Sequence, residues 1–361
     1  MKRSLCCPGL VMAALLAGNS AGWAFAPIDL PRKPGSMRHG DESYPGVIVQ
    51  YDAIVDSAGH RLRLIVTRPQ EQHPPVPVIF IVGWLSCDSV EAPPGTTDPT
   101  QRVLQAVAKL PGFATVRMDK AGVGDSEGDC AATDFSAELA AYREAFRKLK
   151  DYSFVDPGRI FIFGISNGGG IAPLVAERQP VRGFVVDGGW IKTWYEHMLE
   201  IERRRLTLTG HTPSDVNAQM KLVEQLYSAY LLDRRRPRQI FQKRSDLEGI
   251  WEGNPDQLYG RPVAYYQQLQ DLNLMAEWSA VNVPVLVMHG EFDWIMSRSD
   301  LEIMAGLVNR NAPGAAEFVE LPATGHTFEH YSSQEAAFAG KALPFDDRIA
   351  QRIGDWFERH R

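Results

Sequence analysis

From residue 159 to 179 the chain reads RIFIFGISNGGGIAPLVAERQ, and this run sets tight limits on what can surround it. Residues 159–164 have the Ile/Phe-rich composition of a buried strand, and residues 168–179 have the pattern of a helix. Gly164-Ile165-Ser166-Asn167-Gly168 joins them with no residue to spare, so strand, sharp turn and helix must follow one another directly. A serine on such a turn is pushed out of the sheet by a strained backbone, which flanking glycines tolerate because they carry no Cβ. The amides that follow begin a helix, lack intrahelical partners and sit at the positive end of its dipole, where they favour a developing oxyanion. One short segment thus offers Ser166 as a nucleophile and the Asn167 amide as half of an oxyanion hole.

This G-x-S-x-G turn resembles the nucleophile elbow of the α/β-hydrolase family. The resemblance implies a mostly parallel central sheet with helices on both faces and a helical cap insertion. It also implies a Ser-His-Asp relay in the chain order Ser, Asp, His. A short pentapeptide can arise as a packing device alone, so the partners must appear where acyl chemistry needs them.

The rest of the chain supplies the expected alternation. Two period-two runs, residues 47–54 and 61–67, flank Asp56-Ser57-Ala58-Gly59 and read as a hairpin at the antiparallel edge of the sheet. Residues 77–84 (PVIFIVGW) are continuously apolar, as for a strand covered on both faces. A helix over 100–109 and a strand over 113–118 follow, then a long amphipathic helix over 135–149, with Asp156-Pro157-Gly158 read as a break before the elbow strand. A further buried strand spans 181–186. After an irregular stretch the pattern returns with a strand over 284–288, a helix over 299–308, a strand over 317–321 and a last helix over 346–358. Asp119-Lys120-Ala121-Gly122-Val123-Gly124-Asp125-Ser126 lacks the third glycine and the directly opening helix of a dinucleotide site. It resembles instead the D-x-x-G-x-G-x-S turn of α/β-hydrolases, with a structural role.

Acyl-bond hydrolysis needs a base for the nucleophile and an acid to orient that base. Asp293 follows one late strand in a G-x-x-D context and His326 follows the next in a Gly-His pair. Ser166, Asp293 and His326 therefore stand in the hydrolase order. Glu291 and Asp187 compete for the acid role, and His289 and His330 for the base. In the family the loop after the strand ending near Gly83 gives the second oxyanion donor. Here that implies the amide of Trp84 or Leu85, because Gly83-Trp84 stands where an HG-type motif would be. Trp84 could also wall the acyl pocket.

Four regions are expected: a signal peptide (1–26), a first part of the hydrolase core (27–190), a helical cap insertion (191–280) and a second part of the core (281–361). The insertion carries Arg203-Arg204-Arg205, Arg234-Arg235-Arg236 and the aromatics Trp251, Tyr259, Tyr265, Tyr266 and Trp278. Charge runs of this kind are usually solvated faces and paired tyrosines usually packing. The leader has Lys2 and Arg3, an apolar run over 10–17 too short to span a bilayer, and the small-x-small site Ala24-Phe25-Ala26. Cleavage after Ala26 would deliver the protein outside the cytoplasm, secreted or periplasmic, with no stable membrane insertion. Losing Lys2 and Arg3 leaves 36 basic against 44 acidic side chains, a net of −8, which argues against a nucleic-acid partner. Of four cysteines only Cys87 and Cys130 remain, each just beyond consecutive strands. In an oxidising compartment they are expected to pair.

The functional expectation is a secreted serine hydrolase of carboxylic esters working through an acyl-enzyme. The alternatives are a serine peptidase of the aminopeptidase or prolyl-oligopeptidase-like kind, and a non-catalytic binding protein on the same scaffold. No cofactor or metal is required, the partner is a small ester or amide substrate, and the sequence leaves oligomeric state open.

Overall fold

A computed structural model describes residues 42–71, 75–251 and 253–361; the expected leader lies outside the described residues. Among the described residues ten strands and eleven α-helices follow in order: β1 (Val47–Val55), β2 (Arg61–Pro69), β3 (Val76–Val82), α1 (Pro99–Ala108), β4 (Ala114–Met118), α2 (Phe135–Lys148), β5 (Val155–Ile165), α3 (Asn167–Ala176) and β6 (Gly183–Asp187). Then come α4 (Trp194–Leu208), α5 (Pro213–Tyr227), α6 (Pro237–Lys243), the two-residue strands β7 (Gln257–Leu258) and β8 (Arg261–Pro262), α7 (Val263–Gln270) and α8 (Leu274–Ser279). The chain ends with β9 (Val285–Gly290), α9 (Arg298–Asn311), β10 (Ala316–Leu321), α10 (Gln334–Phe338) and α11 (Asp347–His360).

Eight of the strands form one sheet in the order β1-β2-β4-β3-β5-β6-β9-β10. Only β1 with β2 and β2 with β4 pair antiparallel; every other neighbour is parallel. The mostly parallel sheet and its antiparallel edge are thus as the alternation of apolar runs implied. Every residue of β3, β4, β6 and β9 is buried. Because successive side chains alternate faces, neighbours on one strand enter different cores. Phe80, Ile162 and Val186 pack with α2 and α3 residues such as Phe146 and Ile171. Ile79, Phe161 and Val185 pack on the other face with Val103 of α1 and Trp356 of α11. Helix starts follow local chemistry: the Asp98, Asp134 and Thr212 side chains each accept the amide three residues on, and Thr193 forms a reciprocal capping box with Glu196.

One boundary differs from its sequence reading. Asp156-Pro157-Gly158 lies inside β5 rather than before it, yet pairing with β3 jumps from Val76–Val155 to Val78–Ile160. Residues 156–159 therefore bulge out of the ladder, which is how a proline without an N–H is accommodated in a central strand. Farther on, α5 runs directly into one π-turn over Ser228–Leu232.

Residues 191–280 hold α4 to α8, and their inner side packs on the carboxyl end of the sheet. Trp278 Nε1 donates to the Gly170 carbonyl in α3, and Arg204 of α4 donates to the carbonyls of Trp294 and Ile295 just beyond β9.

Candidate active site

Ser166 sits between β5 and α3 with φ 57° and ψ −122°, a conformation that costs an L-residue on the order of 1–3 kcal/mol. The two flanking glycines make it possible. A Cβ on Gly168 would stand 2.1 Å from the Val82 carbonyl oxygen, and one on Gly164 would stand 2.5 Å from the Gly168 oxygen. The elbow is thus pressed against the end of β3, where no side chain larger than hydrogen fits. The Ser166 amide donates to the Asp187 carbonyl at 2.8 Å, and its own carbonyl accepts from Gly169 at 2.9 Å. The amides of Asn167 and Gly168 occupy the first turn of α3, where a helix offers them no carbonyl partner.

The structure brings the three candidate side chains together. His326 Nε2 lies 2.9 Å from Ser166 Oγ, and His326 Nδ1 lies 2.8 Å from Asp293 Oδ2. The other Asp293 oxygen accepts the amides of Ile295 and Met296 at 2.8 and 2.9 Å, so the carboxylate is fully committed. Burial alone would raise the Asp293 pKa, but the neighbouring imidazole and its hydrogen bond outweigh it and hold the group below the usual carboxylate range. Burial alone would lower the His326 pKa, but the Asp293 charge and hydrogen bond push it above the ordinary imidazole value.

The competitors stand outside this relay. The Glu291 carboxylate accepts the Ala323 amide at 2.7 Å. Burial pushes the Asp187 pKa well above the ordinary carboxylate value. His289 is buried in β9, and His330 is held by backbone bridges to Thr324 and Leu343. His197 is buried against Trp190 and Trp194, with ring centroids 6.4 and 4.7 Å away.

Trp84 and Leu85 follow β3 as expected. The Gly83 amide donates to the Tyr142 hydroxyl at 3.3 Å, which leaves the next two amides as candidates for the oxyanion. Cys87 and Cys130 are disulfide-bonded, tying the loop after β3 to the loop after β4. In the turn after β4, Asp119 accepts from Arg63, Ser89 and the Val90 amide, and Ser126 Oγ donates to the Asp119 carbonyl. That is the structural role expected of this turn.

Sequence reasoning missed a buried polar cluster behind the oxyanion loop. Lys120 Nζ donates to the carbonyls of Trp84 and Ser86, the latter at 2.8 Å. Glu138 of α2 lies 3.9 Å from that ammonium, pairs with Arg261 of β8 and accepts the Tyr265 hydroxyl at 3.0 Å. Tyr265 in turn accepts Asn167 Nδ2 at 3.2 Å. The only signal in the sequence was the placement of a lysine at the mouth of a strand-end turn. By contrast, the arginines of the 234–236 run behave as read: Arg234 and Arg235 are exposed and paired with Asp271 and Asp233.

A doubly flanked, mostly parallel sheet with a serine on a strained strand-to-helix turn, beside a histidine and an aspartate in hydrolase order, defines an α/β-hydrolase-fold serine hydrolase. The chain belongs to the X-Pro dipeptidyl-peptidase family, S15, which matches residues 58–321. No curated protein matches the chain. Among solved structures it is similar to Est1E from Butyrivibrio proteoclasticus with ferulic acid bound, at 16% identity and a TM-score of 0.54, covering 86% of this chain and 98% of that one. It is also similar to DcsB in complex with a substrate analogue, at 15% identity and a TM-score of 0.55, covering 87% and 99%. The esterase domain of a Rhodothermus marinus protein is a third, at 17% identity and a TM-score of 0.50, covering 86% and 98%. At these identities the likeness is one of fold.

Proposed function

We propose that this serine hydrolase cleaves carboxylic esters of small molecules by acyl transfer, with Ser166 as nucleophile, His326 as base and Asp293 as its orienting acid. The observation that carries the reading is the unbroken relay from Asp293 Oδ2 through His326 to Ser166 Oγ, with both contacts at hydrogen-bond length. His326 takes the Ser166 proton as Oγ attacks the substrate carbonyl. The amides of Asn167 and of Trp84 or Leu85 receive the oxyanion. The imidazolium then gives its proton to the leaving oxygen, and the acyl group stays on Ser166. Water, deprotonated by the same imidazole, attacks the acyl-enzyme and releases the carboxylic acid, restoring the serine. A second reading, hydrolysis of a peptide or amide, is supported by membership of a peptidase family and uses the same groups with a nitrogen leaving group. A non-catalytic binding role has little support, since such a protein would have no use for a strained serine held against a buried His-Asp pair.

Residues 191–280 serve as the cap, which shields the acyl-enzyme and shapes the substrate site. The flanking segments 27–190 and 281–361 form the hydrolase core. The leader and the Cys87–Cys130 disulfide support maturation in an oxidising compartment outside the cytoplasm, secreted or periplasmic.

The test is a panel of p-nitrophenyl esters and aminoacyl p-nitroanilides, run on the mature protein and on Ser166→Ala. Ester turnover and fluorophosphonate labelling that both vanish in the variant support the reading. Equal labelling in both proteins defeats the nucleophile, and anilide turnover above ester turnover favours the peptidase.

A further inference from the structure

We infer that Lys120 is a positioning residue that turns the Leu85 amide toward the oxyanion, resting on the acyl-transfer reading above. A trans peptide unit points its C=O and N–H in opposite directions. The Gly83 carbonyl faces the elbow, since its oxygen would lie 2.5 Å from a Cβ on Gly168. The Trp84 amide, in the same peptide unit, is therefore aimed away from the elbow. In the next unit the Trp84 carbonyl accepts from Lys120 Nζ, so the Leu85 amide points away from the ammonium. The Ser86 carbonyl, accepting at 2.8 Å, is a second hold on the same loop. The disulfide from Cys87 is a third.

The ammonium that does this is buried, whereas the loop it holds is half-buried. The charged groups facing it are Glu138 of α2, Arg261 of β8 and Asp88 of the loop it holds; the Tyr265 and Tyr142 phenols lie against Glu138 and Gly83. Burial is the main influence and lowers the Lys120 pKa; Glu138 opposes it and Arg261 adds to it, leaving a value of about 8. Arg261 comes from the 191–280 segment, and its guanidinium also donates to the Cys130 carbonyl at 3.2 Å and lies 4.3 Å over the Tyr265 ring. Seating of that segment and aim of the oxyanion donor are thus joined through one buried cluster. Lys120→Met need not collapse it, because Glu138 keeps Arg261 and Tyr265 as partners.

The experiment compares wild type and Lys120→Met on p-nitrophenyl butyrate, and measures inhibition by an aryl trifluoromethyl ketone, whose hemiketal oxyanion occupies the hole. We expect kcat to fall on the order of 100-fold, the scale of losing one oxyanion donor, with KM changed less than about threefold. Ketone affinity should fall in step with kcat. Unchanged kcat and ketone affinity, or equal losses in KM and ketone affinity, overturn the assignment. Should Lys120→Met fail to fold, the wild type still decides it. Ketone affinity should weaken at least about threefold as pH rises through the Lys120 pKa while KM holds, because a neutral amine donates less strongly than an ammonium. Affinity that stays flat through that range overturns it. Fluorophosphonate labelling of wild type is run alongside: its absence would sink the hydrolase reading itself, whereas labelling with an unaltered ketone response sinks only the role of Lys120.

Discussion

Gly188 lies directly against His326: a Cβ built on it would stand 3.1 Å from both Nδ1 and Cε1 of the imidazole and 3.3 Å from Asp293 Oδ2. Its φ of +57° excludes most side chains on backbone grounds as well. This residue follows Asp187, whose carbonyl holds the Ser166 amide, so the same short stretch supports the serine and gives the histidine room. Gly188→Ala should therefore displace the ring from between Ser166 and Asp293. A shift of about 1 Å in a reacting group can cost roughly 100-fold, and we expect kcat to drop 10- to 100-fold with KM little changed. The left-handed alanine should also cost about 1 kcal/mol of stability, visible as a lower thermal midpoint. Full activity in the alanine variant would show that the ring has slack that the geometry denies it.

The acid limb of the pH profile follows from the same pair. His326 acts as base only when neutral, and the Asp293 charge, outweighing burial, raises its pKa above the ordinary imidazole value. Activity should accordingly fall with decreasing pH through an apparent pKa above about 6.5. Asp293→Asn removes the cause, so its limb should move to lower pH, and its kcat should fall by roughly 10⁴, as when the orienting acid of such a relay is lost. A kcat/KM profile measured from pH 5 to 9 that is flat, or whose midpoint is unmoved in the asparagine variant, contradicts the assignment of these two groups.

The elbow was legible in the sequence because its requirements are local. Gly168 stands where the chain must press on the end of β3 and Gly164 where β5 must press on the first turn of α3, and no other residue type meets those demands. Asp293 and His326 were legible because strand ends at the carboxyl edge are recognisable from apolar runs and turn residues. The G-x-x-D register favoured Asp293 over Glu291, two positions earlier, and the Ala323 amide engages Glu291 in a contact across 32 residues that the sequence does not show. Lys120, Glu138 and Arg261 left no such trace. They meet through a pairing across 123 residues, and a buried charge whose partner is distant in sequence looks the same as a solvated one. The bulge at Asp156-Pro157-Gly158 was misplaced for a related reason: proline signals a missing ladder bond, but only the neighbouring strand decides whether the ladder stops or skips.

Cys87 and Cys130 are separated by 43 residues, and a cross-link over that span should stabilise the fold by roughly 4 kcal/mol in the chain-entropy account. Replacing both by serine is expected to lower the unfolding free energy by a few kcal/mol, measured by urea denaturation. Denatured, unreduced mature protein should titrate no free thiol, and two free thiols would refute the pairing in solution. Because the bridge also ends the loop carrying Leu85, the double variant should lose kcat beyond what its stability explains when assayed well below its melting temperature.

Arg204 separates two things that the helical segment can do. Its guanidinium donates to the carbonyls of Trp294 and Ile295, both at 2.7 Å, in the turn whose amides hold the Asp293 carboxylate. A cap that only selected substrates would, when loosened, change the range of esters accepted more than the turnover of small activated ones. Arg204 reaches the acid turn rather than a substrate, so its loss should act on every substrate alike. We expect Arg204→Ala to reduce kcat about tenfold for p-nitrophenyl acetate and for long-chain esters, with their ratio preserved, because the Asp293-His326 geometry is loosened before any acyl group is sensed. The check is kcat/KM across an acyl-length series for wild type and variant. A loss confined to the longer esters would place Arg204 at the substrate site and leave the acid turn self-supporting.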